Sequence, residues 1–452
     1  MVPIFRELLA DLLTPVRAFT LLCPQGQKGF LLESVEGGER LARYSYVSFE
    51  ADPFDLGDGD PLVALEQVIR ESPAPVAGLP RFFGGVVGYL GYEAARHFEK
   101  LPQAVAGGPP LPESAFLRAE NLVVFDHVTR RLKLLTIHRP ASEGYADAIA
   151  RIDAMEACLA AEGHNPETKP DRRGSQWKSN VSKGEFSGMV DAAREYIHAG
   201  DAFQIVLSQR FSKSLEARPF DIYRCLRALN PSPYMFHLCL GDGNYVIGTS
   251  PELLVRVQEG HAETRPLAGT RRRDSDQVKD QALEAELLAD PKERAEHVML
   301  VDLGRNDIGR VSEPGTVRVE RLMEIERYSH VMHISSTVSG ELAEGQSSLD
   351  ALRSTFPAGT LSGAPKIRAM EIVAELEPEQ RGPYGGAAGC ISFGGNLDMA
   401  ITLRTLVISA DKVYVQAGAG IVADSLPERE FEETLEKSGA MFDAVSQAEE
   451  MP

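Results

Sequence analysis

Three strand-like runs, GGAAGCISF, MAITLRTLVIS and KVYVQAGAGIV, follow one another near the carboxyl end with only five and two residues between them, and no other feature restricts the fold as much. Runs this close join as hairpins, the habit of antiparallel sheets, and leave no space for the crossover helices of a doubly wound parallel sheet. Earlier runs, NYVIGTS, LLVRVQ and HAETRPLAGT, repeat the pattern. Helical spacing arrives separately, as in KGEFSGMVDAAREYIHAG, which reads as a helix with a glycine stop before the strand FQIVLSQRF. The expected class is α+β.

The amino-terminal part is read the same way. MVPIFRELLADLL has helix-like spacing, but it carries acids and lacks the charge order of a signal peptide. From Thr20 to Phe54 the runs TLLC, GFLLESV and YSYVSF, broken by glycines, predict strands and turns; Pro61 to Glu71 predicts a helix, NLVVFDHVTRRLKLLTI a hairpin and GYADAIARIDAMEACLAA a helix. Gly84, Gly85, Gly88 and Gly91 lack GxGxxG spacing, so close packing or a bend is expected rather than dinucleotide binding. The polar, Pro- and Gly-rich stretch around GHNPETKPDRRGSQWKSNVSK suggests a boundary, giving an amino-terminal domain 1–165, a linker 166–180 and a larger domain 181–452.

Composition excludes several classes of function. With 66 acidic against 47 basic residues and a net charge of −19, a general nucleic-acid surface is not expected, and an anionic substrate must be met by locally placed cations. No apolar run approaches membrane-spanning length. Cys23, Cys158, Cys225, Cys239 and Cys390 are scattered without metal spacing and read as reduced thiols of a cytoplasmic protein.

Chemistry concentrates in two acidic stretches. In GAGIVADSLPEREFEETLEK, Ser425 and Glu428 form a capping-box pattern with Pro427 in the first turn, predicting a short helix that starts there. Glu430, Glu433, Thr434 and Lys437 then share one face, while Phe431, Leu435 and Phe442 mark an apolar one. In DPKERAEHVMLVDLGRND, Glu293 and Glu296 repeat the i, i+3 acid pair, with Val298, Leu300, Val301 and Leu303 as apolar cover. An acidic helix face is usually a solvated one, but two such pairs suit magnesium, which takes oxygen ligands and keeps several waters. FPAGTLSGAPK is not a phosphate loop, because Gly359 and Gly363 are one residue too close and Pro365 precedes Lys366.

These two stretches, with SPELLVR, RPLAGTRRR, MHISSTVSG and FPAGTLSGAPK in order, resemble the chorismate-utilising enzymes, most closely their anthranilate synthase component I branch. The resemblance runs from about Trp177 to the end and more loosely over the amino-terminal part. It implies two packed antiparallel sheets with helices outside and the site between them. It implies Mg2+ held directly by Glu296 and Glu433 and through water by Glu293 and Glu430. Glu252 matches the general acid for the leaving 4-hydroxyl of chorismate, His333 a histidine at the reacting ring, and Thr360 a contact to the ring substituents. Tyr384, Arg404 and the amides of Gly418 and Gly420 match the pocket for the enolpyruvyl carboxylate, and Lys437 with the metal would meet the ring carboxylate. Arg404 also has the plainer reading of a strand-surface charge, and a lone histidine such as His333 is more often structural.

Two positions select among sister reactions. Gln204 stands where water-using relatives carry an activating lysine, and Ala268 where many aminodeoxychorismate synthases carry a nucleophilic one. Ammonia is left as the nucleophile. No glutaminase sequence is visible, so the resemblance implies a separate glutamine amidotransferase subunit in a heterotetramer. Glu33 and Ser34 in LLES, and Asn230, Pro231, Ser232, Pro233, Tyr234 and Met235, resemble a feedback site for L-tryptophan, although NPSP is also simply a stiff turn. Val35 departs from the frequent ESS form of that motif. The alternatives are an aminodeoxychorismate synthase component and a catalytically silent tryptophan-sensing subunit.

Overall fold

A computed structural model describes residues 1–24, 26–34, 43–103, 105–161, 174–328 and 331–451. Among them twelve strands build one sheet and ten a second, and antiparallel pairing runs through both. The first sheet runs in the order Val2–Leu9, Arg131–His138, Asn121–Asp126, Tyr44–Phe49, Gly29–Glu33, Tyr234–Gly241, Asn244–Ser250, Thr405–Ser409, Lys412–Ile421, Gln204–Ser214 and Gly363–Ala364, with Lys178–Ser179 at its side. The second contains Leu267–Arg272, Val331–Glu341, His261–Thr264, Leu253–Gln258, Leu397–Ile401, Ala387–Ser392, Gly85–Leu90 and Ser114–Ala119.

Alternation along these strands sends one set of side chains between the sheets. Phe30, Leu135, Phe236 and Val246 of the first sheet meet Val86, Tyr89, Val255 and Met399 of the second in one core. The outer face of the first sheet is covered by the helices Pro15–Leu22, Pro219–Leu229 and Pro427–Glu450, through Phe19, Tyr223, Leu226, Met441 and Val445. Phe19, Phe220, Tyr223 and Tyr245 enclose the His237 ring, with centroids 5.2, 5.2, 5.7 and 5.6 Å away. The α+β arrangement of packed antiparallel sheets and peripheral helices is therefore the one the chain adopts.

The two sides of the expected boundary interleave. Gly29–Glu33 pairs with Tyr234–Gly241, and Gly85–Leu90 pairs with Ala387–Ser392, so residues before and after the linker share both sheets and one core. Residues 166–173 of that linker, and Val35, lie outside the described residues. Its described end is tied down: the amides of Gly174 and Ser175 donate to Glu216, and Lys178–Ser179 pairs with Phe211 and Ser212.

Three local expectations are corrected. The helix-like amino terminus is the strand Val2–Leu9, paired along its length with Arg131–His138. Cross-strand pairing overrides the helix propensity of Arg, Glu and Leu there. TLLC ends the helix Pro15–Leu22, which Thr14 caps and whose Pro15, Ala18, Phe19 and Leu22 are buried at i, i+3, i+4 and i+7. MAITLRTLVIS is two strands, Leu397–Ile401 in one sheet and Thr405–Ser409 in the other. The five cysteines are free thiols, and among the described residues no helix is long and apolar enough to cross a membrane.

Candidate active site

Of the places where the chain passes from one sheet to the other, two carry functional candidates. Glu252 lies between Asn244–Ser250 and Leu253–Gln258, with its amide donating to Ser250 Oγ at 3.3 Å. The short helix Gly359–Ser362 brings Thr360 Oγ1 to donate to Glu252 Oε1 at 3.2 Å. Burial pushes this carboxyl up to about 8; the Thr360 hydroxyl and the charges of Arg404 and Lys437 pull the other way and do not offset it. Glu252 is thus a protonated acid at neutral pH.

Arg404 occupies the other crossing, with φ of 49° in the left-handed region that an L side chain rarely adopts. Its carbonyl accepts from Thr249 N at 3.2 Å, and its Nη1 donates to Asn230 Oδ1 at 3.2 Å. The plainer reading as a surface charge does not hold: the residue is part-buried, its guanidinium is bonded to Asn230, and desolvation lowers its pKa. His333 lies on Val331–Glu341 with Nδ1 2.9 Å from the Gly269 carbonyl and 3.0 Å from Thr270 Oγ1. A carbonyl only accepts, so Nδ1 carries the ring proton and Nε2 the lone pair. Burial lowers its pKa, favouring the neutral ring. Gly269, at φ 64°, makes the bulge that offsets Ala268, opposite Ile334, from Thr270, opposite His333. Ala268 presents only its methyl group.

The paired antiparallel strands Gln204–Ser214 and Lys412–Ile421 carry further candidates. A Cβ at Gly418 would lie 2.8 Å from the Tyr384 hydroxyl, and one at Gly420 would lie 2.6 Å from Gln204 Nε2. At Gly418 the Leu207 carbonyl, 2.7 Å from that Cβ, closes the space as well, whereas at Gly420 the Gln204 side chain fills it. Gln204 Nε2 donates to Glu296 Oε1 at 3.3 Å, and Lys437 Nζ donates to the Gly418 carbonyl at 3.0 Å and pairs with Glu433 at 2.7 Å. Contacts and charge thus link Glu252 with Thr360, Arg404 and Lys437, His333 with Arg404, and Gln204 with Gly420 and Glu296, while Gly418 lies against Tyr384 and Lys437.

The acid pairs lie on the helices Pro291–Gly309 and Pro427–Glu450. The second helix is corrected in detail: Leu426 is its N-cap, Ser425 Oγ instead accepts from Val422 N, and the helix has 24 residues rather than a few turns. Leu435 and Val298 are exposed rather than apolar cover, whereas Phe431 packs on Phe186 and Phe442 on Trp177 and Phe211. Burial raises the Glu296 and Glu430 carboxyls, and both feel Lys292 and Lys437. Four carboxylates, one of them Glu433 paired with Lys437, offer a hard cation all-oxygen donors. They are not drawn together: among the described residues no three His, Cys, Asp or Glu side chains are grouped closely enough to hold a metal ion. Glu293 is meanwhile held by Arg271 at 3.2 Å.

A cavity of about 440 Å³ opens on the amino-terminal side, lined among others by Glu33, Ser34, Pro233, Tyr234, Met235 and Arg256. Among the described residues the buried Ser34 hydroxyl has no hydrogen-bond partner. Asn230, Pro231 and Ser232 do not line this cavity, so the feedback motif is divided by the fold.

Several contributors escape sequence reasoning. Lys292 stands at i−4 from Glu296, a spacing that could have drawn attention to it. Arg381 could not be found this way. It is fully buried, its Nη2 pairs with Glu377 at 2.6 Å, and its guanidinium lies 4.5 Å from the Tyr92 ring centroid and 5.7 Å from that of Tyr384. In sequence it is one more charge at i+4 from an acid.

The comparisons with known proteins agree over the whole chain. The family of chorismate binding enzymes matches residues 29–443. Anthranilate synthase component 1 of Streptomyces coelicolor is 61% identical across 99% of this chain and 89% of that protein. That of Thermus thermophilus is 47% identical across 99% and 98%. The crystal structure of anthranilate synthase component I from Streptococcus pneumoniae superposes with a TM-score of 0.80 at 37% identity, covering 96% of this chain and 98% of that one. Two crossings that place an acid and an arginine between antiparallel sheets, in a chain matched from end to end, have one conclusion: the chain belongs to the chorismate binding enzymes and, within them, to the anthranilate synthase component I family.

Proposed function

We propose that this chain converts chorismate and ammonia to anthranilate, pyruvate and water, with ammonia delivered by a glutamine amidotransferase subunit. The observation that carries the reading is the buried, protonated Glu252, bonded to Thr360 and in the field of Arg404. It supplies a proton donor for a leaving hydroxyl beside a cation for a carboxylate. Ammonia adds to ring carbon 2 while the 4-hydroxyl departs as water with the Glu252 proton. Loss of the carbon 2 proton and of the enolpyruvyl group as pyruvate then makes the ring aromatic. Neutral His333, with its Nε2 lone pair, is the acceptor at the ring. Gln204 holds an amide and Ala268 a methyl group where a lysine would activate water or attack, which leaves the ring to ammonia.

Glu296 and Glu433, with Glu293 and Glu430 acting through water, would hold Mg2+, which when bound neutralises the ring carboxylate. Lys437 adds a mobile positive charge on the same side. The cavity at Glu33, Ser34 and Pro233–Met235 would take L-tryptophan as a feedback inhibitor, its volume suiting one amino acid and the buried Ser34 hydroxyl offering a polar contact.

Incubation with chorismate, ammonium and Mg2+ is expected to give anthranilate and pyruvate in equal amounts, and glutamine is expected to replace ammonium only when an amidotransferase subunit is added. Isochorismate or salicylate as the main product without ammonium would reject the reading, and an aminodeoxychorismate product would move the chain to the folate-related branch. For the metal, Glu296→Gln or Glu433→Gln should lower Mg2+-dependent turnover about a hundredfold or more, with smaller losses at Glu293 and Glu430. Near-normal turnover and Mg2+ dependence in Glu433→Gln would refute that assignment.

A further inference from the structure

Asn230 was grouped by sequence with the cavity residues, yet it faces elsewhere. It ends the helix Pro219–Leu229, its amide donating to the Leu226 carbonyl at 2.8 Å. Its side-chain Nδ2 donates to Thr249 Oγ1 at 2.9 Å, and its Oδ1 accepts from Arg404 Nη1 at 3.2 Å. A guanidinium offers only donors, so the amide can face it only with its oxygen, and the Thr249 hydroxyl fixes the other end. One residue thus anchors the left-handed, part-buried arginine of the candidate site.

The same helix holds the cavity wall. Tyr223, Arg227 and Asn230 fall at i, i+4 and i+7 and share a face. The Tyr223 hydroxyl donates to Glu33 Oε2 at 2.6 Å and Arg227 Nη2 to Glu33 Oε1 at 2.9 Å. Three residues beyond Asn230 the chain re-enters the cavity wall as Pro233, Tyr234 and Met235. We infer that Asn230 is a positioning residue for Arg404, and that this helix and its terminal turn carry the state of the cavity to the substrate site. The second half of the inference rests on the reading of the cavity as the L-tryptophan site. A ligand that shifts Glu33 or the Pro233–Met235 wall moves the element whose end sets the guanidinium, and the coupling is as large as the ligand's preference between the two positions.

The test is Asn230→Ala in the full chain, assayed with chorismate, ammonium and Mg2+, with L-tryptophan binding followed by calorimetry. Removal of a charge-assisted hydrogen bond is expected to raise KM for chorismate about tenfold while kcat stays within about threefold. L-Tryptophan binds the variant within about threefold of wild type but no longer raises KM. Asn230→Asp keeps an acceptor for Arg404 and restores KM. Unchanged KM and an unchanged inhibition curve in Asn230→Ala overturn the inference, and so does lost L-tryptophan binding, which would make Asn230 a cavity contact. If the wild type binds no L-tryptophan, the feedback reading fails, whereas the split between KM and kcat still decides the positioning role. Should Asn230→Ala not fold, Thr249→Val removes the hydroxyl that orients the amide and must raise KM in the same direction; no change there also overturns it.

Discussion

Replacing Glu252 by Gln is expected to lower kcat about a thousandfold and to leave KM for chorismate nearly unchanged. The amide keeps an oxygen to accept from Thr360 Oγ1, so the pocket retains its shape, but the proton for the leaving hydroxyl is gone. In the wild type the acid form persists up to about 8, so kcat should be flat below that pH and fall tenfold per unit above it. The Gln variant should lack this alkaline limb. Stability moves the other way. A carboxyl whose folded pKa is raised binds its proton in the folded state while the unfolded chain releases it, so its contribution is complete below about 4.5 and is lost as pH rises towards 8. At pH 7 this costs the fold on the order of 3 kcal/mol, which Gln does not incur. A variant that loses activity and gains resistance to urea at pH 7 fits. A kcat within tenfold of wild type would remove Glu252 from its role.

His237→Phe should abolish much of the protein's loss of stability in acid. The imidazole lies inside the ring of Phe19, Phe220, Tyr223 and Tyr245, and among the described residues neither nitrogen reaches a partner beyond its own backbone. Burial lowers its pKa to about 3. Above 6.5 the ring is neutral whether the chain is folded or not. As pH falls below 6.5 the unfolded chain takes up a proton that the folded one refuses, and stability declines until about 3. At pH 4 the loss is roughly 3 kcal/mol, and over the full window it reaches about 4 to 5 kcal/mol. Urea midpoints at pH 7 and pH 4 measure it: the gap between wild type and His237→Phe must widen in acid. Parallel shifts of both proteins would refute the prediction.

Much of the candidate site was legible because its signals are local. Asp290 and Pro291 mark the start of the helix that carries Glu293 and Glu296, and i, i+3 spacing places both acids on one face. What escaped depends on distant partners. Val2–Leu9 is a strand because Arg131–His138 pairs with it, and its own residues favour a helix. Arg404 breaks MAITLRTLVIS because the chain must change sheets there, a demand no local pattern announces. NPSP reads as a turn whatever Asn230 binds, since Arg404 lies 174 residues further on. Ser425 and Glu428 carry a capping-box signature, yet Ser425 Oγ is taken by the Val422 amide in the preceding turn.

The interleaved sheets bear on how the chain is made. Gly29–Glu33 must wait for Tyr234–Gly241, about two hundred residues later, and Gly85–Leu90 for Ala387–Ser392, about three hundred later. At a synthesis rate of roughly 5–20 residues per second, the first of these strands has an open edge for on the order of ten to forty seconds. Its two apolar faces, Phe30 towards the inter-sheet core and Leu31 towards the outer helices, have no completed core to enter until the ribosome has nearly finished. Until then the nascent chain carries an unpaired strand edge and uncovered apolar side chains, the features that make a partly made chain prone to aggregate.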